Sequence, residues 1–218
     1  MIDRHERRIV LWRHGRTAWN AERRFQGQSD IELDDEGRAQ AQRAASLLVH
    51  LTPSRIISSD LSRAFATAQA LADLTDLEVI SDERLRETFA GEWEGLRRPE
   101  LLATYGDTVA QWASDSHARP GGGETRIEVA ERMVEAINDY VGELPPQGTL
   151  VVATHGGSAR AAIGALLELP PQNWACLGVL SNCAWSILTE NTTGHGPAWR
   201  LQEYNAGSLP TPALADDR

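Results

Sequence analysis

The chain has 218 residues, of which 41% are hydrophobic and 24% are charged, a balance typical of a globular protein that buries a core of its own. Its formal net charge of −10 argues against a general nucleic-acid binder and against a protein of anionic membrane surfaces. Every one of its 21 basic residues is arginine, which excludes Schiff-base catalysis on lysine and a lysine-containing phosphate loop.

The first half of the chain alternates short apolar runs with amphipathic stretches. Three runs are short and apolar enough for buried strands: residues 8–12, 55–58 and 77–80. After the first run, an acidic start at residues 34–37 precedes alanines and leucines at helical spacing. After the second run, Ser59 or Asp60 is placed to cap another helix.

The second half repeats this alternation. Thr125 is placed to cap the clearest helix, whose apolar residues recur three and four apart, and a further helix spans residues 157–169 before Pro170 stops it. Three more runs favour strands: residues 150–153, 183–188 and 199–204. Strands that alternate with helices predict an α/β three-layer sandwich, in which helices cover both faces of a mostly parallel sheet of about six strands.

The sequence shows few signals of a domain boundary or of a targeting segment. We expect one domain over residues 1–205 and a frayed tail over residues 206–218, where prolines and acidic residues collect. The first residues are charged and lack the apolar core of a signal peptide, and no apolar run approaches the ~20 residues of a membrane span. We therefore expect a cytoplasmic protein with no membrane partner and no nucleic-acid partner.

Polar residues follow four of the predicted strands, at the edge of a parallel sheet where ligands bind. In chain order they are Arg13, His14 and Gly15; Ser58, Ser59, Asp60 and Arg63; Arg84, Arg86 and Glu87; and Thr154, His155, Gly156 and Gly157. Two histidines, several arginines and a carboxylate are thus expected to meet at one edge. A metal site on the two histidines is disfavoured, because it lacks a clear third ligand and the arginines would repel a cation.

This set of side chains suits a phosphate monoester. Arginine forks bind phosphate oxygens in pairs, and glycines after a strand let backbone N–H groups approach an anion. A neutral imidazole can attack phosphorus, and a carboxylic acid can protonate the leaving alkoxide. Flanking arginines disfavour the imidazolium, so we expect His14 to be neutral and nucleophilic near pH 7.

Five blocks of sequence resemble the histidine phosphatase family, which has the phosphoglycerate-mutase-like fold. They are residues 11–20 with the Arg13-His14-Gly15 triplet, residues 25–30, residues 58–68, residues 86–95, and residues 122–125 together with Thr154-His155-Gly156-Gly157. A single Arg-His-Gly triplet is a weak signal, but five blocks in family order span almost the whole chain.

The resemblance implies a role for individual residues. It implies His14 as the phosphorylated nucleophile and Glu87 as the proton donor and later base. It implies a phosphate pocket of Arg13, Arg63 and His155, with Asn20 as a further phosphate contact. Gln26 would face the substrate, and the Gly156 backbone would add an N–H. The family needs no metal or organic cofactor, and its members are often homodimers.

The resemblance also narrows the substrate. Residues 169–178 and 182–185 are similar to the actinobacterial glucosyl-3-phosphoglycerate phosphatases, which makes that small phosphorylated metabolite the expected substrate of a phosphohistidine phosphatase. The chain departs from many relatives at Arg16, where they carry Glu or Gln, and we hypothesise that Arg16 meets the glycerate carboxylate. Residues 179–187 contain an apolar pattern that fits either a dimer edge or core packing.

Two alternatives remain open at this point. A phosphoglycerate mutase would share every catalytic residue, although mutases of the family usually carry a longer insertion between the acid and the second histidine. A non-catalytic phospholigand-binding domain would not need to keep both His14 and Glu87, which this chain has.

Overall fold

The computed structural model describes residues 6–207, which form one sheet of six strands in the order β3-β2-β4-β1-β5-β6. The strands are β1 (Arg8–Arg13), β2 (Arg55–Ser58), β3 (Val79–Ser81), β4 (Thr149–Thr154), β5 (Trp185–Glu190) and β6 (Trp199–Ala206). The first four pair in parallel, whereas β5 and β6 are antiparallel. The predicted, mostly parallel sheet of about six strands is confirmed.

Helices cover both faces of the sheet. They are α1 (Ala18–Ala21), α2 (Asp35–Leu48), α3 (Ser62–Ala72), α4 (Arg98–Ser114), α5 (Arg126–Gly142) and α6 (Gly156–Leu166). Successive side chains of a strand point to opposite faces, so Ile9 and Leu11 pack toward α5 and α6. Val10 and Trp12 pack toward α2 and α3. The three-layer sandwich expected from the sequence is confirmed, and its apolar cores lie on both sides of β1.

The register of the parallel strands brings their carboxyl ends to one edge. Arg13 of β1 lies opposite Thr154 of β4, and Ser58 of β2 lies opposite Ala153 of the same strand. The segments that follow β1, β2 and β4 therefore begin side by side. All six residues of β4 are buried, so this central strand places its successor, His155, deep in the protein.

Three expectations about the elements need correction. Neither Ser59 nor Asp60 caps α3; Leu61 occupies the N-cap, and the Asp30 carboxylate accepts hydrogen bonds from the N–H and hydroxyl of Ser62. The sequence analysis missed α4, whose stripe of Leu101, Tyr105, Val109 and Trp112 packs in a small separate cluster and buries only Leu101 fully. Strand β6 continues to Ala206, two residues beyond the predicted strand, and residues 208–218 of the predicted tail lie outside the described residues.

The apolar pattern of residues 179–187 is explained by the core of the chain itself. Leu180, Ala184, Trp185 and Ile187 are buried within the chain, and only Val179 is exposed. Core packing therefore accounts for the pattern without a dimer edge. Between residues 6 and 207, none of the helices combines the length and the apolar composition that crossing a bilayer requires.

Candidate active site

A cavity of about 200 Å³ opens at the carboxyl edge of the sheet. Six residues predicted from the sequence line it: Arg13, His14, Asn20, Gln26, Arg63 and Glu87. They come from the end of β1 and from segments that follow β1, β2 and β3, so the common edge of the sheet brings together residues up to 74 positions apart in the chain.

His14 follows β1 directly and is 2% exposed. Its Nδ1 lies 2.7 Å from the Gly15 carbonyl oxygen, a contact that requires Nδ1 to carry the proton and donate it. Burial, followed by the positive charges of Arg63 and Arg13, holds the pKa of His14 well below its usual value near 6.5. The ring is therefore neutral at neutral pH, and its Nε2 carries the free lone pair.

Two arginines flank the nucleophile, Arg13 at the end of β1 and Arg63 in the first turn of α3. Arg63 is fully buried on α3 and donates to the carbonyl oxygens of Gly27 and Ser29, each at 2.7 Å. These bonds and one to His155 use three of its five N–H groups, which leaves two for a ligand. Arg13 donates to the Leu180 carbonyl, and its buried Nε has no hydrogen-bond partner among the described residues. Both guanidinium groups are thus oriented by the backbone with donors to spare.

His155 lies behind this pair of arginines rather than on the wall of the cavity. It is fully buried, and the centre of its ring is 5.2 Å from that of His14. Its Nδ1 accepts from Nε of Arg63 at 3.2 Å, and its Nε2 lies 2.9 Å from the Ser59 hydroxyl. Burial and the charge of Arg63 hold the pKa of His155 well below its usual value. In this arrangement a neutral His155 orients Arg63, and its predicted contact with the phosphate stays a prediction.

The carboxylate of Glu87 lies at the N-terminus of α6. Its Oε1 accepts from the N–H groups of Thr88 and Ser158, and its Oε2 accepts from that of Gly157, all at 2.9 Å. A helix N-terminus favours negative charge, so these donors hold the carboxylate in place beside the cavity. The helix can approach this closely because residue 157 is glycine: a Cβ at this position would lie only 2.7 Å from Oε1.

Arg132 of α5 fixes the backbone around Glu87, and the sequence analysis missed it. It donates to the carbonyl oxygens of Arg84, Arg86 and Glu87 at 2.7 to 3.0 Å and pairs with the carboxylate of Glu124. The same carboxylate accepts the N–H of Phe89. One partly buried ion pair therefore holds both sides of the segment that carries the acid.

Asn20 and Gln26 border the cavity on the side of α1. The Oδ1 of Asn20 accepts from the backbone of Thr17 and from the amide of Asn182, and the Oε1 of Gln26 accepts from the Thr17 hydroxyl. Both amide oxygens are therefore occupied, which turns the amide N–H groups toward the cavity. Asn182 also donates to the His14 and Gly15 carbonyls, and sequence reasoning gave it no role although it stands in a family-like block.

The structure separates two further predicted residues from the cavity wall. The side chain of Arg16 is 43% exposed and donates to Asp34 at 2.8 Å, so the structure does not bring it to the cavity. Gly156 lies beside Arg13: a Cβ there would come within 3.3 Å of Nε of Arg13. The neighbouring Gly157, rather than Gly156, lines the cavity.

Three further side chains of the cavity wall were not predicted as binding residues from the sequence. Trp112 of α4, Arg126 of α5 and Arg160 of α6 line the same cavity as the nucleophile. The helix that follows β4 begins at the active edge, and Arg160 lies in its second turn. That position was the available signal for Arg160, whereas Trp112 belongs to a helix that had not been predicted.

Comparisons with known proteins agree on one family. The model of the histidine phosphatase superfamily (branch 1) matches residues 9–206. The glucosyl-3-phosphoglycerate phosphatase of Mycolicibacterium vanbaalenii is 39% identical over 215 residues, which cover 93% of this chain and 96% of that protein. The solved structure of a mycobacterial glucosyl-3-phosphoglycerate phosphatase in complex with VO3 has a TM-score of 0.87 and 40% identity, and covers 92% of this chain and 99% of that one. A 2,3-bisphosphoglycerate-dependent phosphoglycerate mutase of Gloeobacter violaceus is 37% identical over 170 residues, 75% of this chain and 77% of that protein.

Proposed function

The chain belongs to the histidine phosphatase superfamily and is a phosphatase of that superfamily, and we propose that it hydrolyses a small phosphate monoester through a phosphohistidine formed on His14. The observation that carries the proposal is a neutral, buried imidazole with a free Nε2 between two arginines, within one cavity that also holds a carboxylate. This combination supplies a nucleophile, a phosphate clamp and a proton donor.

The first step transfers the phosphoryl group to the enzyme. The Nε2 lone pair of His14 forms a bond to phosphorus while the bond from phosphorus to the ester oxygen breaks. Arg13 and Arg63 donate their spare N–H groups to the phosphate oxygens, and the amides of Asn20 and Gln26 extend this set of donors. Protonated Glu87 gives its proton to the leaving oxygen, which departs as an alcohol.

The second step returns the enzyme to its starting state. Glu87, now a carboxylate held by three backbone N–H groups, accepts a proton from water as the water oxygen bonds to phosphorus. The bond from phosphorus to Nε2 breaks, inorganic phosphate leaves, and the lone pair returns to His14. The acid and the base are the same group in opposite protonation states, so one carboxyl group serves both steps.

The substrate proposal follows from the relatives. Proteins 38–39% identical over most of the chain carry the name glucosyl-3-phosphoglycerate phosphatase. We therefore propose glucosyl-3-phosphoglycerate or a similar phosphorylated metabolite as the substrate. The cavity of about 200 Å³ is partly open, which suits a small ester whose leaving group extends toward solvent.

The test is transfer of labelled phosphate. The enzyme should release inorganic phosphate from glucosyl-3-phosphoglycerate, and rapid quenching should trap one acid-labile phosphoryl group per active site, on His14. The variant His14→Ala should lose the label and at least about 10³-fold in turnover, whereas His50→Ala, at an exposed histidine, should keep both. Turnover without label on His14 would overturn the mechanism, and interconversion of 2- and 3-phosphoglycerate without net release of phosphate would favour a mutase.

We also propose that the chain forms one domain that ends near residue 205, because the strands from β1 to β6, between Arg8 and Ala206, share a single sheet. A homodimer stays a prediction from the family resemblance, and a cytoplasmic location stays a prediction from the charged first residues and the shortness of the apolar runs. Light scattering after size-exclusion chromatography tests the first, and fractionation of the source cells tests the second. A mass near 23.9 kDa would exclude the dimer.

A further inference from the structure

Two arginines on the far wall of the cavity have no role in the proposed chemistry. Arg126 and Arg160 are half-buried, and neither pairs with a carboxylate among residues 6–207. Arg24, which lines the same cavity, differs in that it pairs with Glu22 at 2.6 Å and donates to the Gly95 carbonyl. Arg126 and Arg160 are therefore cationic groups on the cavity wall that make no direct ion pair in this region, although the charge of Asp115 acts on Arg126 from a greater distance.

The setting of Arg126 resembles a prepared binding group. Its guanidinium carbon lies 4.4 Å from the centre of the Trp112 ring, a stacking distance that fixes its plane. Its Nε is buried without a hydrogen-bond partner among the described residues, and so is Nε1 of Trp112. Buried donors without partners are costly unless a ligand supplies the acceptors.

Charge gives the same indication. Both arginines line the same cavity, and burial, followed by the positive charge of Arg160, lowers the pKa of Arg126 to about 10, against an opposing contribution from Asp115. Arg13 and Arg63 already provide the phosphate clamp, and Glu87 is the one acidic residue on the cavity wall within the described chain. An anion that binds to both Arg126 and Arg160 would offset the positive charge of these two side chains.

We propose that Arg126 and Arg160, with Trp112 behind them, form a second anion site that binds a negatively charged group on the leaving-group part of the substrate. This proposal rests on the proposed phosphatase function and deepens it, because it requires a substrate with two separate anionic groups. A carboxylate and a second phosphate share the required chemistry, since both accept paired hydrogen bonds from guanidinium groups. The site also replaces Arg16 as the expected contact for a carboxylate.

The experiment compares matched substrates on matched variants. The substrates are 3-phosphoglycerate, glycerol 3-phosphate, which lacks the carboxylate, and 1,3-propanediol bisphosphate, which carries a second phosphate instead. We expect the wild-type enzyme to have a higher kcat/KM on either 3-phosphoglycerate or 1,3-propanediol bisphosphate than on glycerol 3-phosphate. Arg160→Gln and Arg126→Gln should each lower kcat/KM on that substrate by about 10- to 100-fold, the range of one charged hydrogen bond, and by less than about threefold on glycerol 3-phosphate.

Controls separate this site from folding and from net charge. Arg160→Lys should restore part of the preference, and Arg98→Gln makes the same charge change at an exposed residue away from the cavity. Competitive inhibition by inorganic phosphate should be unchanged in Arg160→Gln, because phosphate binds between Arg13 and Arg63. If Arg126→Gln loosens the packing of Trp112, Arg160→Gln still tests the site, since Arg160 makes no such contact.

The outcomes assign failure to one proposal or the other. If the wild-type enzyme releases phosphate and is labelled on His14, but both variants affect all three substrates equally, the second anion site is wrong and the phosphatase mechanism stands. If the wild-type enzyme releases phosphate from none of a broad set of esters and is never labelled, the proposed function is wrong. A preference for the bisphosphate over 3-phosphoglycerate would identify the second group as a phosphate.

Discussion

The two walls of the cavity are built in different ways. The phosphate wall consists of Arg13, His14, Arg63 and Glu87, whose charged groups are all held by hydrogen bonds to the backbone. His14 directly follows a central strand, and His155, which follows the neighbouring strand, supports Arg63 from behind the wall. On the opposite wall, Arg126 and Arg160 project from helices, are half-buried, and lack carboxylate partners among residues 6–207.

This difference separates chemistry from specificity. Strand ends of one sheet can move little relative to each other, so they suit groups that must hold a transferring phosphoryl group within a fraction of an ångström. Helix surfaces tolerate exchange of single side chains, so they suit groups that choose among leaving groups. Variants of the first wall should therefore change turnover on every substrate, whereas variants of the second should change the ranking of substrates.

The largest effect tests the phosphate wall through Glu87. Glu87→Gln keeps the shape but cannot give or accept the proton, and we expect kcat on alkyl phosphates to fall by about 10² to 10⁴-fold. With p-nitrophenyl phosphate, whose leaving group needs no proton, the first step should survive. A burst of p-nitrophenol, up to one equivalent per site, should then precede slow turnover and accumulation of label on His14.

Two results would place the acid elsewhere. Glu92→Gln, at a nearby exposed carboxylate, serves as the matched control and should retain wild-type turnover. If Glu87→Gln and Glu92→Gln behave alike, or if Glu87→Gln slows p-nitrophenyl phosphate and alkyl phosphates equally and shows no burst, the assignment of Glu87 fails.

A smaller effect is expected where the phosphate wall meets α6. In Gly157→Ala the new Cβ would lie 2.7 Å from Oε1 of Glu87, so the carboxylate must shift and its bonds to the helix N-terminus weaken. We expect kcat to fall by about tenfold on every substrate with unchanged substrate ranking. Gly106→Ala, where a Cβ would meet nothing within 4 Å, should be neutral in the same assay. If Gly157→Ala changed the order of substrate preference, the separation of catalysis on one wall from substrate choice on the other would be contradicted.

The same contrast explains what the sequence could predict. His14 and His155 were found because each follows a short apolar run, and the topology of a parallel sheet brings such positions to one edge. Arg126 and Arg160 were missed because helical periodicity identifies the face that packs on the core, but not what lies opposite the outer face. Arg16 was predicted to contact the substrate because it is close to His14 in the sequence. In the structure its side chain pairs with Asp34 instead.

The burial of two neutral histidines predicts how stability depends on pH. His14 and His155 have pKa values well below 6.5 when folded, so below that pH the unfolded chain binds protons that the folded chain does not. The free energy of unfolding should therefore fall as the pH drops from 6.5 to 5, by up to ~1.4 kcal/mol per pH unit for each histidine. Urea unfolding of the wild type and of His14→Asn, at several pH values, measures this slope.

The variant should show a shallower slope, because one of the two histidines has been removed. His50→Asn, at an exposed position, should keep the wild-type slope. Equal slopes for the wild type and His14→Asn would mean that His14 takes up a proton in the folded protein. In that case the positively charged clamp would not keep the nucleophile neutral, and the phosphate wall would lose its main electrostatic feature.

The smallest effect concerns Arg16, which lies next to the nucleophile in sequence but outside the cavity wall. Its pair with Asp34 is partly exposed, and such pairs contribute little to stability or orientation. Arg16→Gln should therefore change kcat/KM by less than about threefold on both 3-phosphoglycerate and glycerol 3-phosphate. A selective loss on the carboxylated substrate would mean that Arg16 leaves Asp34 when substrate binds, and recognition of the leaving group would then reach across to the phosphate wall. An equal, small change on both substrates leaves that recognition with Arg126 and Arg160.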